Sequence, residues 1–188
     1  MILKLNMKRP WRKLKSRIIH KNPYYFISVH DVIRPDGRLG KYYVINAHKS
    51  VIIIAENKNE EIFLVGQTRY PIGSIYSWEL PGGSIEKGST TLNSAKKELK
   101  EEAGLLAKKW VNLGYFYPAP GLNSEKCYVF LASDLLSISA KPEGTEDITI
   151  KKFKLNQVIS MIKKNKIFDG FAITPINKYL IYKNLIKL

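Results

Sequence analysis

The chain has 188 residues, of which 45% are hydrophobic and 25% charged, a globular mix that excludes disorder, collagen-like repeats and low complexity. Its formal charge of +15 suits anionic ligands in general without singling out nucleic acid, because most of its lysines are scattered. Its longest aliphatic run, Val51 to Ala55, falls far short of the roughly 20 apolar residues that span a bilayer, residues 1–17 lack the apolar core of a secretory signal, and one cysteine, Cys127, makes no internal disulfide or thiolate cluster, so a cytoplasmic location with no membrane contact is expected.

In chain order, residues 24–46 read as a β-hairpin that turns at Pro35-Asp36-Gly37. Strands are expected at 51–55 and 62–67, separated by a polar stretch. A turn-rich segment, 71–77, then leads into Trp78-Glu79-Leu80-Pro81-Gly82-Gly83. Residues 91–103 carry apolar side chains at helical spacing and stop on Gly104. Further strands are expected at 110–117, 126–132 and 148–155, followed by helices at 156–164 and 174–186. Strands and helices do not alternate regularly, which favours an α+β fold over a doubly wound sheet. The expected organisation is an N-terminal β extension, residues 1–48, and a main domain, residues 49–188.

Only sixteen acids are present, and five of them fall between Glu79 and Glu102. On the helix over 91–103, Glu98, Glu101 and Glu102 stand at i, i+3 and i+4 and share one face, while Leu92, Ala95 and Leu99 lie on another. Taken alone, this is a solvated helix laced with ion pairs such as Lys97 with Glu101, each worth ~0.3–0.5 kcal/mol. Two such carboxylates about 5–6 Å apart, however, repel by about 3 kcal/mol at an effective dielectric of ~20. A hard divalent cation relieves that repulsion through carboxylate oxygens. Directly upstream, Pro81-Gly82-Gly83-Ser84 lets a backbone carbonyl or a phosphate approach closely. Acid helix and glycine turn together describe a metal–diphosphate site.

The segment from Gly83 to Leu105 resembles the Nudix box of the Nudix hydrolases, G-x5-E-x7-R-E-U-x-E-E-x-G-U, where U is aliphatic. Gly83, Glu98, Leu99, Glu101, Glu102, Gly104 and Leu105 match in register. Ser89 stands where the pattern has Glu and Lys97 where it has Arg, which reads as the joint loss of a matched pair; Lys does not reproduce an Arg fork. The flanks are similar to the ADP-ribose and nucleoside-diphosphate-sugar pyrophosphatases of that family: Gln67-Thr68-Arg69-Tyr70-Pro71, then Trp78 to Gly83, then the proline–glycine loop Tyr117 to Glu125, and finally Glu146-Asp147-Ile148 and Ile167 to Gly170.

This resemblance implies a Nudix fold, a mixed sheet between helices with an N-terminal antiparallel extension. It implies metal-dependent hydrolysis of the pyrophosphate bond of ADP-ribose or a related nucleoside-diphosphate sugar, giving a nucleoside monophosphate and a sugar phosphate. Glu98 and Glu102 would be ligands of Mg2+, or of Mn2+, with Glu101 close by and the Gly82 carbonyl a further ligand. Arg69 would bind a phosphate oxygen, with Gly83 and Glu125 also lining the substrate site. Glu146, or second to it Glu143, would be the general base, so that Glu146, Glu101 and Glu98 form the catalytic set. A homodimer built through the N-terminal sheet is implied as well. Two other readings stand beside this one. One is an RNA 5′-end pyrophosphohydrolase, suggested by the eight basic residues that precede Asp31; the other is a catalytically weak module that binds nucleotide sugars.

Overall fold

The computed structural model describes residues 10–138 and 148–186. The chain forms two compact units. One holds the residues up to His48 together with Ala119–Glu125, and the other holds Lys49–Pro118 and the chain from Lys126 onward.

The first unit is a three-stranded antiparallel sheet of β1 (Arg12–Lys21), β2 (Tyr25–Ile33) and β3 (Leu39–Ala47), in that order. The expected hairpin is β2–β3, and its turn places Gly37 at φ 84°, a conformation that costs glycine nothing. Strand β1 has no counterpart in the expected elements. All ten of its residues are exposed, so no buried face imposes an apolar alternation from which a strand could be read. The proline–glycine loop runs beside β3, where the Ile45 N–H donates to Leu122 O at 3.1 Å and the Ser124 N–H donates to Ile45 O at 3.0 Å.

The second unit is built on a seven-stranded mixed sheet. Its strands are β4 (Ser50–Glu56), β5 (Glu61–Arg69), β6 (Ile75–Glu79), β7 (Gly82–Ser84), β8 (Leu105–Phe116), β9 (Cys127–Ser137) and β10 (Thr149–Lys154). The main path runs β10-β5-β4-β9-β8, with β6 on β5 and β7 on β4. Only β4–β9 is a parallel pair among these ladders. Helix α1 (Thr91–Ala103) covers one face, and α2 (Leu155–Lys163) and α3 (Gly170–Tyr182) cover the other.

That double cover explains the unbroken apolar run in β4. Val51, Ile53 and Ala55 pack with Ala95, Leu99 and Ala103 of α1, whereas Ile52 and Ile54 pack with Val158 of α2 and Ile176 of α3. A strand buried on both faces has no polar side to write into its sequence. Burying one such side chain contributes about 1.5–3 kcal/mol.

Several expected boundaries shift. Strand β8 begins at Leu105 rather than 110 and β9 runs to Ser137 rather than 132, because the two pair over that stretch (Leu105 opposite Ser137), and α3 ends at Tyr182 rather than 186. Strand β6 begins at Ile75, inside the segment read as turns, because pairing with β5 (Arg69 opposite Ile75) claims those residues. Helix α3 starts at Gly170 rather than 174, because Asp169 accepts a hydrogen bond from the Phe171 N–H at 3.1 Å and caps an earlier turn. Helix α1 has the expected bounds, with Thr90 accepting from the Asn93 N–H and Gly104 in the left-handed region at its end.

At the far end of β4 the buried Glu56 carboxylate accepts from the Tyr179 hydroxyl at 2.5 Å and pairs with Lys183 at 2.9 Å. Burial, then the hydrogen bond to Glu56, push the Tyr179 phenol above its ordinary 10.0. The folded chain therefore holds this proton to higher pH than the unfolded chain does. The stabilisation is whole below about pH 10 and is lost as pH rises past it. Tyr179→Phe should lower stability by about 1–3 kcal/mol and flatten part of the alkaline decline, as read by urea unfolding at about pH 8 and about pH 10.5.

Candidate active site

Strand β7 lies against the start of β4, with Gly83 opposite Val51 and Gly82 opposite Ile52. A Cβ on Gly82 would collide with the Val51 carbonyl oxygen, and one on Gly83 would fall 2.5 Å from the Glu98 carboxylate. Glycine is thus a packing requirement at Gly82, where two backbones meet, and at Gly83 it leaves the space that the Glu98 carboxylate occupies.

With its apolar stripe on the sheet, α1 brings Glu98 and Glu102 against this strand. Glu102 is 6% exposed, and its Oε2 accepts from the Gly82 N–H at 2.8 Å. Glu98 and Glu101 are half-buried, Glu98 over Gly83 and Glu101 with its Oε2 3.8 Å from Lys97 Nζ. Two carboxylates of the box, Glu98 and Glu102, are therefore held beside the glycine strand.

Arg69 ends β5 and is clamped by Glu79 of β6. Its Nη2 lies 2.6 Å from Glu79 Oε2 and its Nε 3.0 Å from Oε1, while Gln67 Nε2 donates to Oε2 at 3.2 Å. Glu79 is 4% exposed, so this charge is taken out of water with its partners in place. The Glu79 hydrogen bond is the main cause that raises the Arg69 pKa, and Asp169 and Glu102 add smaller attractions. The guanidinium therefore stands in the field of a box glutamate. Its clamp uses Nε and Nη2. Sequence reasoning named Arg69 without a partner; same-face positions of β5 and β6 bring Glu79 to it.

The two departures from the box have separate surroundings. Ser89 Oγ accepts from Ser94 Oγ at 3.0 Å, whereas Lys97 pairs with Glu86 and, at 3.8 Å, with Glu101. Glu86 as a partner of Lys97 was not foreseen, because the loop between β7 and α1 carries no periodic signal. Glu125 belongs to the first unit, where its N–H donates to Asn123 Oδ1 at 3.2 Å. Glu143 and Glu146 lie outside the described residues.

Among the described residues, no three His, Cys, Asp or Glu side chains form a ready-made metal cluster. The donor chemistry nevertheless suits Mg2+. This ion takes one or two carboxylates and fills its octahedron with water and substrate phosphate oxygens, and α1 and β7 offer carboxylate and carbonyl oxygens.

Comparison with known proteins extends this picture. Residues 46–171 match the NUDIX domain and residues 11–45 match the nucleoside diphosphate sugar hydrolase N-terminal domain. An ADP-ribose pyrophosphatase of Bacillus subtilis is 31% identical over 144 residues, 76% of this chain and 77% of the relative. A CMP-5'-(N-acetyl-N-hydroxy-3-aminopropyl)phosphonate hydrolase of Streptomyces rubellomurinus is 23% identical over 164 residues, 87% of this chain and 79% of the relative. The crystal structure of an ADP compounds hydrolase shares the fold, with a TM-score of 0.82 at 17% identity over 95% of this chain and 98% of that one. With a glycine strand, an acid helix and both domain matches in register, the chain belongs to the Nudix family and is a Nudix hydrolase.

Proposed function

We propose that the chain hydrolyses the pyrophosphate bond of ADP-ribose or a related nucleoside-diphosphate sugar, releasing a nucleoside monophosphate and a sugar phosphate. The observation that carries this reading is the seating of Glu98 and Glu102 against Gly83 and Gly82, in a chain similar to an ADP-ribose pyrophosphatase. Mg2+, or Mn2+ in its place, would be held by Glu98 and Glu102, with Glu101 and the Gly82 carbonyl beside them. Bound there, the ion supplies Lewis-acid polarisation of the phosphoryl group and a more acidic water.

The residues of the chain do the rest. Glu102, fixed by the Gly82 N–H, keeps the acid face of α1 oriented. Arg69, clamped by Glu79, is the proposed partner of a phosphate oxygen and offsets its negative charge. Glu146, in the segment after β9, is the proposed acceptor of the proton from the attacking water, and Glu125 is a proposed substrate contact. A scaffold that holds charge of both signs in place before substrate arrives avoids reorganising it in the transition state.

A substrate panel with Mg2+ and Mn2+ tests the reading. ADP-ribose or another nucleotide sugar should be turned over faster than dinucleoside polyphosphates or capped RNA. Preference for RNA 5′ ends would replace the proposal, and binding without turnover would mark a sensor module. Glu102→Gln should lower kcat by at least ~10²-fold while keeping its far-UV dichroism, since the amide oxygen still accepts from Gly82. Near-normal turnover would sink the site. Gly83→Ala should lower activity by about ten-fold or more by displacing the Glu98 carboxylate, with the thermal midpoint reporting that the fold survives.

The proposed assembly is a symmetric homodimer through the first unit. Its sheet exposes Trp11, Leu14, Ile18, Tyr25 and Tyr43, more apolar surface than an isolated edge strand usually leaves in water. Aromatic side chains of this kind anchor interfaces. Light scattering at micromolar concentration should give the mass of two chains, whereas the mass of one would exclude the dimer.

A further inference from the structure

The loop between β7 and α1 holds a charge that the reaction does not use. Glu86 sits exposed on this loop and pairs with Lys97 Nζ. The same ammonium lies 3.8 Å from Glu101 Oε2, one helical turn away. Glu86 is the leading cause that raises the Lys97 pKa, ahead of Glu101 and Glu98. Lys97 is thus a cation shared between an acid outside the site and one on the acid face, and it stands nearer the one outside.

We propose that Glu86 is a positioning residue that draws Lys97 away from Glu101 and so keeps the Glu101 carboxylate available on the metal-holding face of α1. The physical argument is competition. A lysine at i and a glutamate at i+4 share one helix face and stand within reach of each other, here at 3.8 Å, although this is the weaker of the two orders, and a carboxylate engaged by a lysine is a poorer partner for a divalent cation. Glu86, reaching Lys97 from the loop, satisfies that lysine without occupying the helix face. The pair also ties the loop to the helix beside Ser89, whose N–H donates to Glu86 O at 3.1 Å. This rests on the reading of Glu98, Glu101 and Glu102 as the metal-holding set, but it concerns a different residue and predicts a different pattern of effects.

The pattern is non-additive. Glu86→Gln frees Lys97 to close on Glu101 and should weaken Mn2+ binding, measured by electron paramagnetic resonance without substrate, by about 2–5-fold, the range of an exposed ion pair. Lys97→Met alone should change it less than about 2-fold, since Lys97 already has Glu86. The double variant should return to about the wild-type affinity, so Lys97→Met gains more in the Glu86→Gln background than in the wild type. Additive effects would mean that both charges act only through the general field, and would overturn the proposal. A metal-free crystal structure of Glu86→Gln gives a second readout that needs no bound ion. Lys97 Nζ should lie within about 3.2 Å of a Glu101 oxygen, and a lysine that stays off Glu101 would equally overturn it. Failure of the wild-type chain to bind Mn2+ or to hydrolyse nucleotide sugars would count against the proposed function, and the crystal structure would still decide the part played by Glu86.

Discussion

A buried carboxylate on a backbone amide, Glu102 on the Gly82 N–H, is the contact on which the site depends. It joins a helix to a short strand whose other neighbour on that helix is the Glu98 carboxylate, seated against Gly83. A charge-assisted hydrogen bond of this kind is stronger than a neutral one and costs most when its partner is lost. Once Glu102 is fixed, the helical repeat places Glu98 one turn earlier, over the space that Gly83 leaves empty, and Glu101 at the rim.

The helix is itself held by the sheet. Alternate residues of β4 enter separate cores, one under α1 and one under α2 and α3, so the strand that supports β7 is buried along its whole length. At one end of β4 the glycine strand carries the site. At the other, Glu56 is closed off by Tyr179 and Lys183 and contributes rigidity. The same side-chain type serves opposite ends of one strand, and its surroundings decide which task it has.

Charge is distributed in keeping with this division. The chain is strongly basic overall, yet α1 and its approach gather acids in one place. A net positive charge suits anionic ligands in general, while the acids gathered here repel one another. Arg69 stands beside them, clamped on two nitrogens by the buried Glu79 carboxylate, so its guanidinium is held in one orientation.

The sequence alone determined what is local or periodic. The bounds of α1 follow from its apolar spacing and the stop at Gly104, its acid face from the spacing of Glu98, Glu101 and Glu102, and the family from the order of those features, whereas the glycines read as a turn became strand β7. The former are properties of neighbours along the chain, fixed by backbone geometry within a few turns. The tertiary structure decided what depends on strands meeting. Register between β5 and β6 sets Glu79 on Arg69, pairing extends β6 back to Ile75, and β1 becomes a strand through its ladder to β2 without any buried face of its own. The fold of the loop onto α1 gives Lys97 its partner in Glu86 rather than at position 89. Such pairings join residues whose separation in sequence carries no information about their distance in space, and only the packed sheet brings them within reach.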